Sequence, residues 1–187
     1  QWPSLEACET HSMSMEFFAE PWAESFFGAD ADKFRWQHLA DALTFIPYGT
    51  LVDHFQHVCY EHPECSAAER NAAWLELAGV YMPWLKPEES LGFYASGRAW
   101  QRQRHIYESP FYYIDYCLAQ TISLQFWAML RHDKDAAWAK YMAYTRPAGT
   151  LTFLELLEQA GLDSPFSPDT LRGVAEEASG WLAEQNL

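Results

Sequence analysis

An all-α chain is predicted from three features of the sequence. Val, Ile and Thr are sparse, no Asn-Gly or Asp-Gly turn separates alternating runs, and apolar residues recur at helical spacing between Pro and Gly breaks. The expected organisation is about seven or eight helices in a single helical unit, 1–187, with no repeat, low-complexity segment or long linker. The first helix runs from about Leu5 to Phe18 and stops before Pro21. A short one covers Trp22 to Phe27 and ends at Gly28. Asp30 or Asp32 caps a third that carries Phe34, Leu39, Leu43 and Phe45 and ends before Pro47, since an interior proline removes a hydrogen bond. A fourth follows from Tyr48 to Tyr60, with Leu51, Val52, Phe55 and Val58 on one face.

Ser66 with Glu69 three residues on forms a capping box for a helix reaching about Tyr81. Lys86 to Gly97 reads as a loop or short helix, and Arg98 to Tyr107 as a helix or a feeder loop. Ser109-Pro110 places a cap and a first-turn proline at the start of a helix that reaches about Arg131. Asp133 opens another to Thr145, Thr150 to Ala160 comes next with Gly161 as its stop, and Ser167-Pro168 opens the last, to about Glu184.

Composition narrows the function classes. Nearly half the chain is apolar and 17% is aromatic, which excludes disorder and fits buried or cleft-lining aromatic surface. Asp and Glu number 26 against 12 Lys and Arg, a net charge of −14, so nucleic acid and anionic membrane surfaces are not expected partners. The uncharged run Tyr116 to Leu130 is shorter than the ~20 residues of a membrane span and is interrupted by Gln120, Ser123 and Gln125; a buried helix is expected. Cys8, Cys59, Cys65 and Cys117 form no CxxC pair and suggest a reducing, cytoplasmic setting.

Three constellations carry chemistry. Glu9 and Glu16 lie seven residues apart and so share a helix face near Met13, Met15 and Phe17. Such a pair is either solvated or meets a cation, a metal or donors, and a carboxylate is an ordinary third zinc ligand beside two histidines. The second constellation is His105 with Tyr112, Tyr113 and Tyr116. Tyr113 and Tyr116 are neighbours on one helix face, and a phenol can donate to an oxyanion without carrying charge; an aromatic core helix is the competing structural reading. The third is His54, His57 and Cys59 with His62 and Cys65, whose spacing fits no standard zinc module and equally describes ordinary helix histidines.

Three stretches together resemble the oligoendopeptidase F branch of the thimet oligopeptidase family of zinc metallopeptidases. They are Cys8-Glu9-Thr10-His11-Ser12-Met13-Ser14-Met15-Glu16-Phe17-Phe18; Phe45-Ile46-Pro47-Tyr48-Gly49 with Val52-Asp53-His54-Phe55-Gln56-His57; and Gln103-Arg104-His105-Ile106-Tyr107-Glu108 with Pro110-Phe111-Tyr112-Tyr113-Ile114-Asp115-Tyr116. They occur in the family's order, and the match covers roughly residues 5–130.

The resemblance implies a mostly helical, zincin-type catalytic domain with a deep channel and a zinc ion held by two His of an HExxH helix and a Glu. Glu9 matches that glutamate, and Glu16 an acidic residue supporting it from the same helix. His105, Tyr113 and Tyr116, with Tyr112 as a further member, match the group that faces the substrate carbonyl. The implied reaction is hydrolysis of internal bonds of short peptides. No His in the chain is followed by Glu, so no HExxH is present. The chain therefore resembles the C-terminal part of such a domain, expected to be inactive and to hold no zinc tightly alone. Its partners would be the missing N-terminal part and short peptides, and uncovered apolar surface would favour a homodimer. A helical peptide-binding or interaction module without catalysis is the alternative.

Overall fold

Local capping signals place most of the helices. In the computed structural model, residues 2–86, 88 and 90–185 are described. The helices are α1 (Leu5–Ala19), α2 (Ala23–Phe27), α3 (Ala31–Glu61), α4 (Ala67–Tyr81), α5 (Gly92–Ala95), α6 (His105–Glu108), α7 (Tyr113–His132), α8 (Lys134–Thr145), α9 (Phe153–Ala160) and α10 (Pro168–Glu184). No strand occurs among the described residues, so the all-α expectation holds. No helix is long and apolar enough to cross a membrane among the described residues.

Ser66 and Thr152 each close a reciprocal capping box, with Glu69 and Glu155 as the third residue of α4 and α9. Asp133 caps α8 through Ala136 N, and Gly161 adopts the left-handed conformation that stops α9. The last helix opens at Pro168, as its Ser-Pro signal predicts.

Two expectations fail. Pro47 does not end a helix: α3 runs through it for 31 residues. A proline in a helix interior costs about 3 kcal/mol, but residues on both sides are well buried, with Leu39, Ile46, Leu51, Val52 and Phe55 in the core. That burial outweighs the lost hydrogen bond. The helix after Ser109-Pro110 starts later than predicted, at Tyr113, because Phe111 turns the chain with φ 62°. Its backbone N–H, outside any helix, donates to Gln56 Oε1 at 2.9 Å.

The chain divides into two compact units, residues 1–44 with 118–187 and residues 45–117. The first holds α1, α2, α8, α9 and α10 with parts of α3 and α7. Its core gathers Phe18, Ile122, Phe126, Tyr144, Phe153 and Leu156. The second holds α4, α5 and α6 with the rest of α3 and the first turn of α7. Its core gathers Leu51, Val52, Phe55, Trp74, Trp100 and Tyr113.

Candidate active site

In the second unit a short 3₁₀ turn, Ala99–Arg102, and α6 deliver His105 to the first turn of α7. The His105 ring lies edge-on to Tyr113, with centroids 5.0 Å apart, and to Tyr116 at 5.8 Å. Tyr112 stands 6.1 Å from His105 and 4.8 Å from Tyr116, and Tyr113 and Tyr116 are 5.5 Å apart. All four residues of the predicted His/Tyr group are thus gathered. The turn at Phe111 sets this arrangement, since it makes Tyr113 the first residue of α7 and puts Tyr116 one turn on.

Tyr113 is almost wholly buried, and burial, with Tyr48, Cys117 and Tyr116 nearby, pushes its hydroxyl far above the ordinary phenol range. It remains protonated and a donor at any working pH.

Gly49 lets Cys117 pack closely beside the Tyr113 ring. A methyl group there would collide with Cys117 Sγ and come within 3.6 Å of the Tyr113 ring, so only glycine allows this approach. Phe45 and Tyr48 complete the ring's surroundings, with centroids 5.8 and 6.0 Å from Tyr113.

Sequence reasoning assigns no role to two residues beside the group. Tyr48 Oη donates to Gln103 Oε1 at 2.8 Å, and Gln103 Nε2 lies 2.7 Å from His105 Nδ1. A signal for them exists, since both residues fall in the stretches that carry the resemblance. The same two side chains line a cavity of about 510 Å³ with Leu51, Trp74, Met82 and Arg102.

Glu9 and Glu16 are both on α1, in the first unit. Glu9 is half-buried and accepts from Ser12 Oγ at 3.4 Å. Glu16 is exposed and meets a residue the sequence does not flag: His38 Nε2 lies 2.9 Å from Glu16 Oε2, and His38 Nδ1 lies 3.4 Å from Glu20 Oε1. The imidazole is stacked on Phe34 and packed at 4.6 Å against Phe17. Burial works against a charge on His38, but the hydrogen bonds and charges of Glu16 and Glu20 outweigh it and push its pKa up to about 9. On α1 itself His11 takes the opposite course. Its Nδ1 sits 2.6 Å from the Ala7 carbonyl, and burial holds its pKa below the usual value.

The third constellation does not assemble. His54 pairs with Tyr81 at 2.9 Å, His57 with Asp53 at 3.5 Å and His62 with Glu64 at 3.5 Å. Among the described residues no three His, Cys, Asp or Glu side chains come together as a metal donor set. Among the described residues the donor set for zinc is therefore incomplete, with Glu9 as a candidate ligand.

Three solved structures are similar to this chain in sequence and in fold. A structure assigned as an oligoendopeptidase F matches with TM-score 0.94 and 48% identity over 99% of this chain and 33% of its own. PZ peptidase A, solved with an inhibitor, matches with TM-score 0.94 and 46% identity, again over 99% of this chain and 33% of its own. An assigned oligoendopeptidase F from Bacillus anthracis matches with TM-score 0.83 and 43% identity, over 99% of this chain and 30% of its own. No family model matches the chain, and no curated protein does. In sequence and in fold the chain is oligoendopeptidase F-like along its whole length, and it spans about a third of the solved structures it matches.

Proposed function

We propose that this chain forms one wall of the active site of a zinc-dependent oligoendopeptidase that hydrolyses internal bonds of short peptides, in the cytoplasm. The observation that carries the reading is the packing of His105 against Tyr112, Tyr113 and Tyr116. Peptide hydrolysis passes through a tetrahedral intermediate whose oxygen gains negative charge. Uncharged donors fixed beforehand stabilise it without reorganisation. Tyr113 and Tyr116 are such donors, and burial ensures that Tyr113 keeps its proton. His105, between them, donates to the same oxygen or to the peptide backbone.

Glu9 is the proposed protein ligand to zinc, with Glu16 supporting it from the same helix. The other ligands and the general base would come from outside this chain, which has no HExxH. When bound, zinc would polarise the scissile carbonyl and lower the pKa of a water molecule.

The decisive experiment is a chimera in which this chain replaces the matching third of a solved oligoendopeptidase F. The chimera is expected to cleave a short fluorogenic peptide, whereas the isolated chain does not. Tyr113→Phe and Tyr116→Phe in the chimera should each lower kcat by roughly 10²–10³-fold. Glu9→Ala should abolish stoichiometric zinc. A chimera that folds and binds zinc but turns over normally with both tyrosines replaced would defeat the proposal.

A second reading, a non-catalytic peptide-binding module, is favoured by the apolar cavity beside Tyr48 and Trp74. Peptide-dependent quenching of tryptophan fluorescence in the isolated chain, together with an inert chimera, would select it.

A further inference from the structure

The geometry points to Gln103, held by Tyr48, as a positioning residue that fixes which nitrogen of His105 carries the proton. This inference rests on the reading of His105 as a substrate-facing group. It adds what makes that group a donor rather than a base.

The backbone of Gln103 is braced on both sides. Its N–H donates to the Trp100 carbonyl at 3.0 Å, and its own carbonyl accepts from Ile106 N at 3.1 Å. The side-chain amide therefore leaves a fixed turn, two residues before His105. An amide side chain has one acceptor oxygen and one donor nitrogen. The Tyr48 hydroxyl occupies the oxygen, at 2.8 Å. What remains for His105 Nδ1, at 2.7 Å, is the donor nitrogen. A ring nitrogen that accepts carries no hydrogen, so the proton of the neutral imidazole sits on Nε2.

If the amide turned over, Tyr48 would have to accept instead of donate. His105 would then carry its proton on Nδ1 and present a bare Nε2, the arrangement of a general base. In the orientation observed, Nε2–H is the free donor of a neutral ring, matched to the neutral phenols of Tyr113 and Tyr116.

The test is nitrogen-15 NMR of the histidine side chains in the full chain, with His105 assigned by His105→Asn. In the unaltered chain His105 is expected to be mainly the Nε2–H tautomer. Gln103→Glu replaces the donor with a carboxylate that can only accept, and should reverse the ring to Nδ1–H. A dominant Nδ1–H form in the unaltered chain, or an unchanged tautomer in a folded Gln103→Glu chain, would overturn the inference. Tyr48→Phe keeps the test open if Gln103→Glu misfolds. It frees the amide to turn and should give a mixture of tautomers; a ring still wholly Nε2–H would count against the relay.

The readout needs neither zinc nor turnover, so an inert chimera defeats the peptidase reading and leaves this result standing. In an active chimera Gln103→Leu should lower kcat about tenfold with KM little changed. Unchanged kcat in that variant would defeat the positioning role alone.

Discussion

The His38 cluster of one unit and the His105 cluster of the other treat their polar groups in opposite ways. In residues 1–44 with 118–187, charge is answered by charge: His38 lies between Glu16 and Glu20, and Arg35 bridges Glu24 and Asp32. In residues 45–117, the groups around His105 are answered by neutral partners, Tyr48 and Gln103. The purpose of each region shows in that contrast. Paired charges hold helices in place and change with pH, whereas fixed neutral dipoles stay ready for a charge that arrives with a substrate.

Damaging each core in turn puts the contrast under the most severe strain. Phe126→Ala in the first unit and Phe55→Ala in the second should each cost about 3–5 kcal/mol in urea unfolding, because both rings are fully buried. Only the second should disturb the tyrosine signals of the His105 group. Equal disturbance by both would erase the distinction. Gly49→Ala comes next, at about 1–3 kcal/mol, since the added methyl forces the Cys117 thiol away.

The pH dependence carried by His38 and His11 should be smaller. His38 is raised to about 9 from an unfolded value of 6.5. Its contribution is therefore complete below pH 6.5 and is lost as pH rises through 9. Because Glu16 is 62% exposed, a discounted loss of about 1–2 kcal/mol between pH 6.5 and 10 is expected, and His38→Gln should remove it. His11, lowered by burial, works the other way: its contribution is present above pH 6.5 and disappears on acidification. Urea midpoints that stay flat from pH 5 to pH 10 would contradict both assignments. Smallest of all, Thr152→Ala should cost about 1 kcal/mol through the lost capping box of α9.

Much of this architecture is legible in the sequence because its causes are local. Ser66 with Glu69, Asp133, Gly161 and Ser167-Pro168 act within a few residues of chain, so sequence alone places the boundaries they control. Pro47 and Phe111 depart from expectation for the opposite reason. Whether a proline breaks a helix depends on how much its neighbours bury, and whether Ser-Pro opens one depends on a turn held by Gln56, 55 residues away. The site divides along the same line. Tyr113 and Tyr116 follow from helical spacing, and the three stretches resembling oligoendopeptidase F supply His105 and Glu9. The His38 clasp and the Tyr48–Gln103 relay join residues 22 and 55 positions apart; Tyr48 and Gln103 fall within those stretches, but no pattern along the chain pairs them.

Phe111 carries one more consequence. A bulky side chain at φ 62° is an uncommon conformation, held here by its bond to Gln56. Each residue of an α-helix turns the chain by about 100°, so this kink works as an angular stop that dials the phenols into place. Inserting one alanine between Phe111 and Tyr112 would leave composition and helix content almost intact, yet swing Tyr113 and Tyr116 off the face that meets His105. Such a chain should keep its circular dichroism and lose the ring-current shifts among these residues.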